Sequence, residues 1–377
     1  MKLKQFIQQE TVLTAAAVLA VVSAFFVPPD AQYLGYIDLR TLAILFSLMT
    51  VMAGLRRQGF FDGLGRALLL SRTHSTFQLT LVLIGLCFFG SMFITNDVSL
   101  LTFVPFTFVV LSRLGADVRR ALLIPVVCMQ TIAANLGSML TPIGNPQNLY
   151  LYGKSGMSIG GFVLLMLPYT LVSLLLLLAW AAIVCRKASA ALSVDEFVSS
   201  SASQGDQKII LLYLVLFAVC LLSVIRVLPY GIAFAAVLVC VLFADPHTLR
   251  AVDYSLLLTF VAFFIFIGNL GRIPAFSGWL QEFLTGREVL VAVLASQVTS
   301  NVPAALLLSG FTAETQALII GTNLGGLGTL IASMASLISY RQIARELPQG
   351  KKQYFGLFTL SNLIFLAILL GVWFLLR

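Results

Sequence analysis

Three observations predict an all-α polytopic membrane protein. The 377 residues are 59% hydrophobic and only 10% charged, with a mean hydropathy of +1.00, whereas a soluble domain carries about 25% charged residues. Apolar runs of helix length recur along the whole chain. Two of them are interrupted by the same Asn-Leu-Gly sequence, at related points of the two halves. The expected architecture is two inverted repeats, with about nine to eleven transmembrane helices, two re-entrant hairpins and two broken helices.

In chain order the apolar runs cover residues 11–27, 39–55, 77–94, 98–112, 120–140, 160–185, 209–227, 230–244, 254–270, 289–299, 302–311, 315–333 and 353–376. A crossing needs about 20 apolar residues, so several of these are too short to span. The first run lies between Lys2, Lys4 and Pro28-Pro29, as in a signal peptide. The mostly polar residues ahead of it and the many spans after it favour an uncleaved first helix. The only long polar stretch, 186–208, carries Ser199, Ser200, Ser201 and Ser203. It reads as a flexible cytoplasmic linker, dividing a first membrane repeat, 1–185, from a second, 209–377.

Two ungapped alignments define the repeat. Asp38–Leu64 falls on Asp253–Trp279, with Arg57 over Arg272, Phe61 over Phe276 and Gly63 over Gly278. Asn135–Leu149 falls on Asn323–Leu337 with six identities in fifteen positions. Shared hydrophobicity does not produce recurring Asn, Gly and Thr. The run at 209–227 has no counterpart, which changes the parity and inverts the second half. If the segments around residues 95 and 300 are hairpins that return to their own side, the 23 basic residues divide seventeen inside to six outside. The outside six are Arg40, Lys154, Arg226, Arg272, Arg287 and Arg377. The positive-inside rule then places the N-terminus in the cytoplasm and the C-terminus outside, in a multi-pass protein of the inner (plasma) membrane.

Several function classes are excluded. The net charge of +8 sits in short loops between spans, so no nucleic-acid partner is expected. The five cysteines lack CxxC spacing and read as packing residues. No P-loop is present to drive transport by nucleotide hydrolysis. An intramembrane enzyme would need a base near Ser138, Ser300 or Ser333, yet the only histidines, His74 and His247, fall in loops. A passive channel also uses broken helices, but two related tips at one closed site favour a carrier.

The candidate site is built from tips and breaks. Thr95-Asn96-Asp97 separates two apolar runs without a loop, and Asp97 is the carboxylate flanked on both sides by long apolar stretches. An intramembrane acid marks function. Thr299-Ser300-Asn301 occupies the second tip. The first break contributes Asn135, Gly137, Thr141, Asn145 and Asn148, and the second Asn323, Gly325, Thr329 and Ser333. Such residues end a helix at membrane depth and expose oxygen ligands.

These tips and breaks, with the Thr-Pro-Ile-Gly-Asn-Pro-Gln-Asn run and the Ser-Asn-Val-Pro tip, resemble the ion transporter superfamily of citrate-type and divalent-anion symporters, arsenite/antimonite permeases and some sodium/proton antiporters. The resemblance covers residue 38 to the end. It implies a scaffold and a transport domain, a homodimer, elevator-type displacement, and substrate held between tips and breaks. The divalent-anion tip motif Ser-Asn-Thr falls on Thr95-Asn96-Asp97 and Ser300-Asn301-Val302, and departs from both at the third place. The function expected is secondary transport of a small anion, citrate or another carboxylate or an inorganic oxyanion, coupled to protons or sodium. The alternatives are arsenite/antimonite efflux and sodium/proton antiport. Asn96, Asn135, Asn301 and Asn323 are the candidate sodium ligands, and no other cofactor is expected.

Overall fold

The computed structural model describes residues 10–72, 75–187 and 205–377, and they form helices joined by short turns. The first half contains α1 (Thr11–Phe26), a short α2 (Gln32–Tyr36), α3 (Leu39–Arg57), α4 (Phe60–Arg72), α5 (Thr76–Ile94), α6 (Asn96–Ser112), α7 (Ala116–Ser138), α8 (Pro146–Ser155) and α9 (Ile159–Lys187). Then follow α10 (Gln207–Val224), α11 (Tyr230–Ala244), a 3-10 turn (Pro246–Ala251) and α12 (Tyr254–Gly271). The second half continues with α13 (Pro274–Leu284), α14 (Glu288–Thr299), α15 (Asn301–Ser309), α16 (Thr315–Leu324), α17 (Met334–Glu346) and α18 (Lys351–Leu376). Among the described residues, seven helices (α3, α5, α7, α9, α10, α12, α18) are long and apolar enough to cross a bilayer, and α1, α6, α11 and α14 are apolar but shorter. The all-α polytopic fold expected from composition is the one observed.

Local chemistry starts and stops these helices. Asp38 caps α3 by accepting from the Thr41 amide at 3.0 Å, and Asp253 caps α12 by accepting from the Leu256 amide at 3.0 Å. At their far ends, Arg57 of α3 donates to Asp245 after α11 at 3.1 Å, and Arg272 after α12 pairs with Asp30 after α1 at 2.8 Å. Helix α1 accordingly packs on α12, while α10 and α11 pack on α3.

The structure corrects some boundaries. The runs 120–140 and 315–333 do not remain helical to their ends, because α7 stops at Ser138 and α16 at Leu324, where glycine, threonine and proline fail to extend the ladder. The polar stretch 186–208 is helical at both edges: Arg186 and Lys187 close α9, and Gln207 and Lys208 open α10 behind the Asp206 cap. The remainder of that linker, like His74, lies outside the described residues. Helices α4, α8, α13 and α17 add to the apolar runs, since their mixed polarity hides them from a search for continuous apolar sequence. The hairpin arms are also unequal. At 1.5 Å per residue α5 and α6 are about 28 and 26 Å long, against about 18 and 14 Å for α14 and α15.

Candidate functional site

Both hairpins turn on one residue with an unusual backbone. Thr95 has φ 67°, ψ 152° and Ser300 has φ 73°, ψ 155°, a region that costs a residue with a Cβ on the order of 1–3 kcal/mol and is held only by its surroundings. The next residue supplies part of that hold. The Asn96 amide donates to the Gly144 carbonyl at 3.1 Å, and the Asn301 amide to the Ala332 carbonyl at 3.0 Å. Each tip is thus docked on the break of its own half. Thr141 and Thr329 add a second tie, their hydroxyls donating to the carbonyls of Met92 and Gln297, three residues before the tip residue in each case. Gly137 and Gly325 allow the close approach. A Cβ at Gly137 would lie 2.0 Å from the Phe88 carbonyl oxygen, and one at Gly325 would lie 2.6 Å from Ser296 Oγ. These two threonines and two glycines fasten the hairpins instead of facing the cavity between them.

The asparagines reach across the halves. Asn135 Oδ1 accepts from Asn96 Nδ2 at 3.1 Å and from Ser333 Oγ at 3.0 Å, while Asn135 Nδ2 donates to Ser336 Oγ at 3.4 Å. Asn323 Oδ1 accepts from Asn145 Nδ2 at 3.1 Å, and Asn323 Nδ2 donates to Asn148 Oδ1 at 2.6 Å. Asn145 also caps α8 through the Asn148 amide at 2.9 Å. All of these side chains are buried, where an unmade bond costs about 1–3 kcal/mol. Of the four candidate sodium ligands, Asn96, Asn135 and Asn323 therefore have their amide oxygens engaged by donors within the protein. Asn301 faces the cavity.

That cavity, of about 120 Å³, lies between the two tips and the two breaks. Asn96 and Asp97 line it from the first hairpin, Asn301 from the second, Gln147 from the start of α8 and Ser333 from the start of α17. Two buried polar atoms on its wall, Asp97 Oδ1 and Gln147 Nε2, have no hydrogen-bond partner among the described residues, and neither does the nearby Ser300 Oγ. Ser333 spends its hydroxyl on Asn135 and makes no side-chain cap for α17, whose first residue, Met334, also lines the cavity. Helices α6, α8, α15 and α17 all begin here, so four positive dipole ends converge. The mouth carries Glu10, Asp253 and Arg341. No sequence signal marks Asp253 or Arg341 as cavity residues, and Gln147, within the Thr-Pro-Ile-Gly-Asn-Pro-Gln-Asn run, has the composition of a turn residue.

Further along α8 and α12 from the cavity, three aromatic rings pack together. Tyr150 meets Phe260 at 6.3 Å and Phe264 at 5.6 Å between ring centroids, and Phe260 meets Phe264 at 6.0 Å. All three are buried, and Tyr150 Oη is 2.9 Å from Ser309 Oγ at the base of the second hairpin.

Converging half-helix ends around a cavity that holds Asn96, Asp97, Gln147 and Asn301, within a bundle of apolar helices, define an integral membrane transporter. A family profile described as citrate transporter matches residues 6–317. The chain belongs to the citrate transporter family. It is 32% identical over 325 residues to the inner membrane protein YbiR of Escherichia coli, covering 84% of both chains. It is 30% identical over 306 residues to an uncharacterized transporter of Methanocaldococcus jannaschii, covering 81% of both. A shorter match, 32% over 159 residues, reaches 18% of the P protein of Sus scrofa.

Proposed function

We propose that the protein is a secondary transporter that couples movement of a small carboxylate or inorganic oxyanion to protons or sodium. The observation that carries this reading is the placement of one carboxylate, Asp97, beside the four converging helix N-termini. The dipole ends and the Gln147 and Asn301 amides provide for an anion, and Asp97 provides for the coupling cation. The exchange of partners between halves supports an inverted repeat of 1–185 and 209–377 around this site, and the homodimer is proposed from the family resemblance alone. Purified protein in proteoliposomes, offered labelled citrate, sulfate and arsenite with imposed proton or sodium gradients, tests the reading. Saturable uptake driven by one gradient is expected, and flux that neither saturates nor follows a gradient would refute it.

A second reading, sodium/proton antiport, is favoured by one feature: three carboxylates, Asp97, Asp253 and Glu10, line the cavity against the single cation Arg341. Gradient-driven proton exchange without any anion in the assay would select it.

We place the N-terminus in the cytoplasm of an inner membrane. The contacts Arg57–Asp245 and Arg272–Asp30 join helix ends that the basic-residue distribution assigns to the same side. Cysteine labelling at Ser201 and Arg377, after replacing the half-buried Cys240, is expected to give opposite sidedness.

A further inference from the structure

One stripe of α8 runs from the cavity, through the aromatic layer, to a second pocket. Gln147, Tyr150 and Lys154 are three and four residues apart and share a helix face. Gln147 faces the cavity, Tyr150 packs in the layer, and Lys154 lines a pocket of about 290 Å³ with Tyr36, Asp38, Arg40, Tyr150 and Phe264. This pocket lies toward the end of α12 where Arg272 donates to Tyr36 Oη at 3.1 Å, whereas Asp253 at the other end of α12 borders the cavity.

The two compartments carry opposite charge. Three carboxylates and one arginine surround the cavity. In the second pocket two cations face one carboxylate, and that carboxylate is engaged, because Asp38 accepts from both the amide and the hydroxyl of Thr41. Lys154 is held by the Ser309 carbonyl, a neutral acceptor that fixes the ammonium without neutralising it. The half-buried Arg40 makes no ion pair or hydrogen bond within the described residues. Tyrosine and phenylalanine form the remaining wall and lower the local polarity, which strengthens a charge-assisted bond.

We infer that Arg40 and Lys154 form a capture subsite for a small oxyanion, of the carboxylate or tetrahedral type, on the far side of the Tyr150–Phe260–Phe264 layer from the cavity. Its place on the transport path rests on the transporter reading, while anion binding itself does not. The subsite concentrates an anion next to a closed layer whose other face is the acid-rich cavity, so capture and coupling occur at separate positions along α8.

Equilibrium binding of citrate and of sulfate to the purified full-length protein, at low and at high salt, tests this. Arg40→Gln combined with Lys154→Gln is expected to raise the dissociation constant at least tenfold for the anion that binds. The charge-retaining Arg40→Lys and Lys154→Arg should each stay within about threefold of wild type, which separates loss of charge from misfolding. Binding is expected to weaken as salt rises. Preference for citrate or for sulfate identifies the ligand type. The inference is overturned if the double Gln variant binds both anions as wild type does, or if wild type binds neither. Anion binding that depends on both cations, in a protein that moves no substrate in proteoliposomes, would keep the subsite and reject the transporter reading.

Discussion

Asn135 and Asn323 make equivalent contacts with exchanged partners. Asn135, at the end of α7, bonds Ser333 and Ser336 of the second half, and Asn323, at the end of α16, bonds Asn145 and Asn148 of the first. In the ungapped alignment Asn145 and Asn148 stand opposite those two serines. Arg57 and Arg272 repeat the pattern, each bonding the aspartate that precedes the other's helix. Each break is therefore held by the opposite half, and displacing one break strains the other.

Asn323→Ala would leave the buried Asn148 Oδ1 without its side-chain donor and Asn145 Nδ2 with Ser138 Oγ as its remaining acceptor, a destabilisation of about 1–3 kcal/mol. The melting temperature should fall and transport should fall further, because α8 loses its anchor at the cavity. Asn145→Ala with Asn323→Ala should cost less than the sum of the two singles, since both remove one bond, with a coupling of roughly 0.5–3 kcal/mol. Strict additivity in thermal unfolding would show that the cross-half bond contributes nothing.

Ser300→Gly separates the shape of a tip from its chemistry. Glycine adopts the φ of 73° without the Cβ penalty, so the turn is kept and its strain of order 1–3 kcal/mol is relieved, partly offset by glycine's larger unfolded-state entropy. The Ser300 hydroxyl has no hydrogen-bond partner among the described residues, so its removal breaks no bond there. Thermal stability should hold or rise slightly while transport or cation affinity drops at least fivefold. Unchanged flux would mean that this hydroxyl contacts neither substrate nor coupling ion.

The tips and breaks were legible in the sequence because Asn, Gly, Thr and Pro inside apolar runs have no other reason to recur. Residues whose types are common in such runs were not. Phe260 and Phe264 pack with Tyr150 beside the cavity, yet two of 29 phenylalanines carry no positional signal. Asp30 and Asp245 precede the aligned segments, so their exchange with Arg272 and Arg57 depended on seeing α1 and α11 packed across the halves. Gly137, Gly325, Thr141 and Thr329 stood out for the reason that the liganding residues did, a polar or flexible position at membrane depth. Composition alone could not show that these four hold the hairpins.

Asp97 distinguishes the two coupling ions. Asp97→Asn preserves the size of the side chain and removes its charge at a position lining the cavity. If the carboxylate carries the proton, the amide mimics the loaded form, so substrate binding survives and uptake no longer responds to a pH gradient. If it ligates sodium, sodium affinity falls and the pH response remains. We expect the proton outcome, because an ionised acid beside an anion site is opposed by Coulomb repulsion at low dielectric. Uptake measured against separate pH and sodium gradients decides between them, and a variant matching wild type in both profiles would reduce Asp97 to a helix-start residue.

The aromatic layer makes its own prediction. Phe260 is fully buried and packs edge-on against both Tyr150 and Phe264, and on the transporter reading this ring is expected to form the barrier between cavity and capture subsite. Phe260→Ala removes the ring, costs about 3–5 kcal/mol if the gap does not collapse, and opens a passage lined by Tyr150 and Phe264. Phe260→Leu conserves most of the volume at a smaller cost and should keep the seal. In proteoliposomes preloaded with substrate and held without any cation gradient, the alanine variant is expected to leak at several times the wild-type rate, while the leucine variant stays tight. Tyr150→Phe, which removes only the hydroxyl bonded to Ser309, should loosen α8 from the second hairpin and raise the leak less than the alanine change. Folded Phe260→Ala protein that leaks no faster than wild type would place the barrier elsewhere, because a layer whose central ring can be deleted without flux does not close the path.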